Sequence, residues 1–261
     1  MAKPLEFLKE KYENRVFSSN CDDDFIITKY VNKYEVHIMF LNTGYETITY
    51  MVNVRNGNIR DKMKPRVYGV GIYDSDFTIH STTTNYRVYS LWSGMLERCY
   101  CNKFKEKQPT YKYCTVDNNL HMFSNFSSLV ENMEGFLEKD ANGKYFNLDK
   151  DLLGSNGKHY GAETICFLPF EINAFLTQRD SLRGVYPLGV TLHKQNGKYK
   201  SSLNVDGKSK HIGLFVTPEE AFHAYKAVKE QHVKVLANKW KDKIDIRAYN
   251  ALMNYKIEMT D

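Results

Sequence analysis

Asn147-Leu148-Asp149-Lys150-Asp151 sets two carboxylates and an ammonium side by side, and His159 follows in a polar stretch. A carboxylate is a hard oxygen ligand of the kind Mg²⁺ takes. A histidine can take a proton from water near neutral pH, which its ordinary pKa suits. A second stretch, Lys198 to Val205, alternates. Lys198, Lys200, Ser202 and Asn204 fall on one side of a strand, and Tyr199, Ser201, Leu203 and Val205 on the other. Lysine, hydroxyl and amide side chains are the types that touch phosphates and base edges.

Both sets need elements to hold them. Tyr145 to Asp151 reads as a short strand ending in acids, followed by a Gly/Ser/Asn/Lys loop through Tyr160. Glu163 to Pro169 reads as an apolar return strand and Phe170 to Leu176 as a short helix. Strand, loop, strand and helix within roughly thirty residues is the size of a ββα-metal unit. Further on, Gly189 to His193 predicts a strand. Asn196-Gly197 predicts a two-residue hairpin turn with φ > 0 at both positions. Lys198 to Val205 is a second strand, Asp206-Gly207 a second turn, and Lys208 to Val216 a third strand. Thr217 then predicts an N-cap, Pro218 the first helical position and Glu220 the partner in a capping box. Ala221, Tyr225, Val228, His232 and Val235 fall on one face of the helix that follows. A sheet with a helix on one side leaves its other side free.

Gly189-Val190, Tyr199, Ile212 to Phe215 and Thr217 to Val228 together resemble the AP2 domain, the three-stranded DNA-binding module of plant regulators and phage homing endonucleases. The resemblance covers roughly the whole module and implies double-stranded DNA as a partner. Plant members carry arginines and tryptophans on the exposed sheet; the matching positions here hold Thr191, His193, Ser202, Asn204, Ser209 and His211. DNA binding is therefore implied, but not the plant sequence preference. Lys198, Lys200, Lys208 and Lys210 complete the expected DNA-binding set.

Leu91 to Tyr100, Phe123 to Phe126, Asn147 to Leu153 and His159 to Asn173 resemble HNH-type endonucleases of phages. In that chemistry a histidine activates water and one divalent ion steadies the scissile phosphate. Carried over by position, Asp149 matches the metal-binding acid. Lys150 stands where the histidine base would be, and Thr164 where the asparagine would be. Two of the three positions thus depart. The resemblance offers Asp149 and Thr164 to Mg²⁺ and calls for no organic cofactor. Asp149, Lys150 and His159 are the catalytic candidates, with His121 a further source of a base. Two functions compete: an HNH-like endonuclease with an altered site, and a catalytically silent relative. The silent relative would bind DNA and act as a regulator or as an antagonist of a host defence protein. A third class is a protein-binding adaptor built on the N-terminal region.

The remaining bounds agree with a globular α+β chain. Of 261 residues, 42% are apolar and 14% aromatic, which excludes a disordered chain. Net charge is +5, and the basic excess lies between Arg183 and Lys243, where an electrostatic footprint for nucleic acid belongs. No apolar run reaches membrane length and the start lacks a signal peptide's apolar core, which predicts a cytoplasmic protein with no membrane partner, in the host bacterial cytoplasm if the chain is phage-encoded as the resemblance implies. Five cysteines without framework spacing predict core or half-buried thiols. Phe25 to Tyr30, Tyr34 to Phe40 and Tyr45 to Val52 read as strands of a small SH3-like barrel over residues 1–72. Asp22-Asp23-Asp24 in that region reads as a solvated loop. Residues 73–180 form the expected central HNH-like domain, in which Tyr89, Trp92, Met95, Leu96 and Cys99 make a helical core stripe. Residues 181–261 form the expected AP2-like domain with a C-terminal extension.

Overall fold

A computed structural model describes residues 4–76, 84–154, 157–177, 185–205 and 207–259. These residues form a mixed α+β structure with several small sheets and eight α-helices. The chain divides into two compact units, Met1–Lys112 with Asn118–Ser127, and Tyr113–Asp117 with Ser128–Asp261. Neither division falls at the expected 72/73, and the expected 180/181 border lies outside the described residues.

The first unit opens with α1 (Leu5–Tyr12) and a meander of β1 (Val16–Ser18), β2 (Asp24–Asn32), β3 (Glu35–Phe40) and β4 (Glu46–Thr49). Among the described residues β1 and β4 are not bonded to each other, so the sheet stays open and the expected closed barrel is not formed. Strict alternation along β3 sends Val36, Ile38 and Phe40 inward, to meet Phe25, Ile27 and Tyr30 of β2. The expected strand through Val52 stops early. Met51–Asn56 is instead a short helix, α2, because Met51 and Val54 close the core from one helical face. Gly57 ends it at φ +65°, the left-handed cap that glycine adopts without strain. Later in this unit, α3 (Thr84–Tyr100) buries Trp92, Met95, Leu96 and Cys99 of the expected stripe, with Val88 buried in place of Tyr89, which is half-buried. The Trp92 indole N–H donates to the Leu120 carbonyl at 3.0 Å. A short α4 (Asn102–Lys107) follows.

The acidic run of the first unit is not simply solvated. Asp23 is 2% exposed. It accepts from the Asp61 amide at 3.0 Å and from Lys64 Nζ at 2.8 Å, and it pairs with Arg66. The sequence hides this because its partners lie some forty residues away, in a loop with no regular period.

The second unit contains β5 (Thr115–Val116), and α5 (Phe123–Glu131) leads into its longer part. There follow β6 (Asn147–Asp149), β7 (His159–Tyr160), β8 (Cys166–Leu168) and α6 (Phe170–Leu176). β6 and β8 pair antiparallel, with Asp149 opposite Cys166, as the strand–loop–strand–helix reading expects. His159, expected in a loop, instead lies in β7, which pairs parallel with β5.

The three-stranded sheet and helix form where expected. β9 (Val190–His193), β10 (Lys198–Val205) and β11 (Lys208–Phe215) lie in the order β11-β10-β9 and precede α7 (Pro218–Trp240) and α8 (Ile246–Met253). The capping box is complete: Thr217 Oγ1 accepts from the Glu220 amide at 3.2 Å, and Glu220 Oε2 accepts from the Thr217 amide at 3.3 Å. The first hairpin differs from expectation. Lys198 pairs with His193, which leaves a four-residue loop, and only Gly197 has a positive φ, at +67°. Asn196 instead uses its Oδ1 to accept from the Lys198 amide at 3.1 Å. Asp206 of the second hairpin lies outside the described residues. Gly189 sits at φ +72° against the Tyr225 ring, where an added Cβ would come within 2.1 Å, so only glycine fits.

The buried face of α7 also departs from the expected one. Ala221, Phe222 and Tyr225 cover the sheet, but Val235 is 52% exposed. The 23-residue helix outruns the sheet, and Val233, Leu236, Ala237 and Trp240 become its buried positions. Trp240 meets Phe146 edge to face at 5.4 Å, and its indole N–H donates to Glu171 Oε2 at 3.0 Å.

Two outcomes follow from this packing. Phe222 is 1% exposed, so Phe222→Ala is expected to cost about 3–5 kcal/mol in chemical denaturation; an unchanged unfolding curve would sink this account of the sheet–helix core. In the first unit, burial raises the Asp23 carboxyl, but Lys64, the Asp61 amide and Arg66 together outweigh it and hold its pKa below the ordinary value. A depressed folded pKa gives stability that is present above the unfolded pKa and lost as pH falls through the folded one. The melting-temperature gap between wild type and Asp23→Asn should therefore be wide at neutral pH and close below about pH 4. A gap independent of pH would contradict the ion pairing.

Candidate functional site

The free face of the β9–β11 sheet is built by register. Lys198 lies opposite His193, and Lys200 lies opposite both Thr191 and Leu214. Directly opposed residues share a face. A bulge follows: Ser201 pairs with Gly213 but Ser202 pairs with His211, so Ile212 is the extra residue. Beyond it, Asn204 stands opposite Ser209. Thr191, His193, Lys198, Lys200, Ser202, Asn204, Ser209 and His211 thus share the side away from α7, with Leu214 among them. Tyr199, Leu203 and Val205 turn to the helix, as the alternation predicts, and the bulge lets both Ile212 and Phe215 join them.

The bulge shifts the two remaining lysines. Lys210 is opposite Leu203, and Lys208 is opposite Val205, which puts both on the register of the helix side. Both are exposed at the end of their hairpin, but they do not join the row that Lys198 and Lys200 head. The sequence gives no sign of this, because one extra residue in a strand reverses every later position. His193 has a fixed tautomer. Its Nδ1 lies 3.0 Å from Asn196 Oδ1, an oxygen already accepting from the Lys198 amide, so Nδ1 carries the proton. In the neutral ring its Nε2 is then left as an acceptor. The face therefore presents two lysine ammoniums, hydroxyls, an amide and an imidazole in one row.

The ββα-like region is organised differently. Asp149 is 7% exposed at the end of β6. Its Oδ1 accepts from the Asp151 amide at 3.0 Å and the Leu152 amide at 2.9 Å, which caps the turn into the loop. Burial raises its pKa against those two bonds and the neighbouring Lys150 charge. The Cys166 thiol opposite is also pushed up, by burial and by the Asp149 charge. Lys150 is 5% exposed, and its Nζ donates to the Asp151 carboxylate and to the Gly157 carbonyl at 2.5 Å. It works there as a loop tie. The Thr164 hydroxyl donates to the His159 carbonyl at 2.8 Å and accepts from the Gly161 amide at 2.9 Å, so it is consumed by the backbone turn.

His159 lies in a short relay. Its Nε2 is 2.9 Å from Asp117 Oδ1 and its Nδ1 is 2.8 Å from Thr115 Oγ1. A carboxylate only accepts, so Nε2 carries the proton and the threonine hydroxyl donates to Nδ1 in the neutral ring. Gly161 makes room for the pair, since a Cβ there would meet Asp117 Oδ2 at 2.6 Å. Asp117 and Thr115 are missed by sequence reasoning, because only the parallel β5–β7 pairing brings them to His159. His121, the weaker candidate, shares its Nε2 with the Tyr100 hydroxyl at 2.8 Å, and burial lowers its pKa.

Mg²⁺ asks for a near-octahedral set of oxygens. Asp149 and Thr164 do not fit that demand, since one carboxylate oxygen and the hydroxyl are committed to the backbone. Among the described residues no three His, Cys, Asp or Glu side chains converge as a metal site, and no helix is long and apolar enough to cross a membrane. All five cysteines are free, and Cys99, Cys114 and Cys166 are buried.

The cap makes a testable distinction. A raised folded pKa means that the ionised Asp149 costs stability as pH rises above the unfolded value. Asp149→Asn keeps an acceptor without the charge and should be at least as stable as wild type at neutral pH. Asp149→Ala leaves two amides without it and should lose about 1–3 kcal/mol. Denaturation curves that rank Asn below Ala would refute the capping role.

Compared with known proteins, the chain matches no family model, no curated protein and no solved structure.

Proposed function

We propose that the protein binds duplex DNA through the free face of the β9–β11 sheet, and that its HNH-like region is catalytically silent. The observation that carries the first half is the shared register of Lys198, Lys200, Thr191, His193, Ser202, Asn204 and His211. The resemblance to AP2 domains points to the same surface. Phosphate contacts supply affinity and fix orientation, while the hydroxyl, amide and imidazole groups read the groove. The second half is supported by the local bonds of the three candidate groups. Asp149 caps a turn, Lys150 ties a loop, and Thr164 closes a backbone turn. Such a chain acts by occupying DNA, as a regulator or as an antagonist of a host protein that needs the same DNA.

Two measurements test this reading. Lys198→Ala with Lys200→Ala should weaken duplex binding and flatten the dependence of log affinity on log salt by about 0.9 for each phosphate no longer neutralised. Lys208→Ala with Lys210→Ala removes equal charge from the other register and should change the slope less. Equal slopes for the two pairs would move the DNA surface elsewhere. Wild-type protein should not nick supercoiled plasmid with Mg²⁺ or Mn²⁺. Robust nicking would establish an active endonuclease, with His159, held by Asp117, as its first candidate base. A complex with a host protein that survives high salt, without DNA binding, would favour the adaptor.

A further inference from the structure

A cavity of about 220 Å³ in the first unit gathers Arg60, Lys62, Lys64 and Arg66 beside the rings of Tyr73 and Tyr89. The four cations are held in different ways. Asp23, buried beneath them, fixes both Lys64 and Arg66, so one carboxylate orients two cations and neutralises one. Lys62 pairs with Asp76, whose side chain is 86% exposed and can be exchanged for another anion. Among the described residues Arg60 has no carboxylate partner. Its Nη2 donates to the Tyr73 carbonyl at 3.4 Å, and its guanidinium lies 5.9 Å from the Tyr73 ring centre. Asp61 also lines the cavity, but its two oxygens accept from the Thr43 hydroxyl at 2.7 Å and the Met63 amide at 2.9 Å. The cavity therefore has cationic donors that are already positioned and not fully neutralised.

We infer that this cavity binds a phosphate group, supplied by the backbone of duplex DNA. Only the source of the phosphate rests on the DNA-binding reading. A guanidinium presents a planar fork of donors that fits two phosphate oxygens, and an ammonium adds a compact charge beside it. Lys62 would exchange Asp76 for the phosphate, and Arg60 would pair with a second phosphate oxygen. Lys64 and Arg66, clamped by Asp23, form the fixed floor.

The test uses the full chain with Arg60→Ala and Lys62→Ala, which leaves the Asp23 clamp untouched. Duplex affinity is measured by fluorescence anisotropy across about 50 to 200 mM salt, beside wild type and the Lys198→Ala, Lys200→Ala variant. The expected result is a salt slope lower by about 0.9, restored by Arg60→Lys with Lys62→Arg, with an unchanged melting temperature. That fall is expected whether or not the sheet variant changes the slope. A fall in the cavity variant alone would retain the cavity and remove the sheet reading. Adenosine monophosphate is titrated by calorimetry as a second arm. Binding that Arg60→Ala with Lys62→Ala abolishes, with the duplex slope unmoved, would keep the phosphate site and assign it to a free nucleotide. Unchanged behaviour of this variant towards both probes, or wild type that binds neither, overturns the proposal.

Discussion

The second unit depends on α7 being buried twice. Its first turns cover the sheet through Ala221, Phe222 and Tyr225, and its last turns carry Leu236 and Trp240 into a different core. Full burial of side chains of this size contributes roughly 1.5–3 kcal/mol each. Because the backbone bonds of one helix join the two cores, the sheet and the ββα-like region share a structural element. Glu171 of α6 strengthens the join by accepting from both Trp240 and Lys239, the latter at 2.6 Å. A buried acid on the opposite side of α7 does similar work. Glu230 accepts from Lys256 at 2.8 Å and from the Ile257 amide at 3.2 Å, which ties the chain after α8 to the helix. Burial raises the Glu230 carboxyl, but the bonds from Lys256 and Lys226 outweigh it and hold its pKa below the ordinary value.

This double burial bears on the proposed DNA contact. A sheet whose inner face is fixed by Phe222 and Tyr225 presents its outer row without rearrangement. Rigid placement of polar groups is what the proposed groove reading would need, since each good base contact depends on hydrogen-bond geometry. The ββα-like region shows the opposite use of polar groups. There Asp149 Oδ1, Lys150 Nζ and Thr164 Oγ1 serve the turns around them. A side chain that satisfies a buried backbone group cannot also serve a metal or take a proton at that atom.

Much of the second unit was legible because its signals are local. The capping box, the alternation of β10, and the start and end of α6 each follow from neighbouring residues. The stripe of α3 is equally local. The failures share a cause. Tyr45 to Val52 reads as strand by composition, and only the core above the meander selects a helix from Met51 onward. Val235 fits the helical period, but the period cannot tell which neighbour the helix meets after it leaves the sheet. The bulge at Ile212 is likewise invisible, and it decides which lysines share a face.

For the candidate sites the division is sharper. By itself the sequence determined the residue types, the basic excess of the C-terminal stretch, and the absence of a histidine and an asparagine where an HNH site would carry them. It also determined the elements whose hydrogen bonds close within a few residues. Only the tertiary structure decided that His159 meets Asp117 and Thr115, that Asp23 clamps Lys64 and Arg66, and that Lys208 and Lys210 leave the row of Lys198 and Lys200. The physical reason is the same each time. These contacts join residues that become neighbours only when strands pair or loops close, and the register of that pairing is set by burial summed over the whole core.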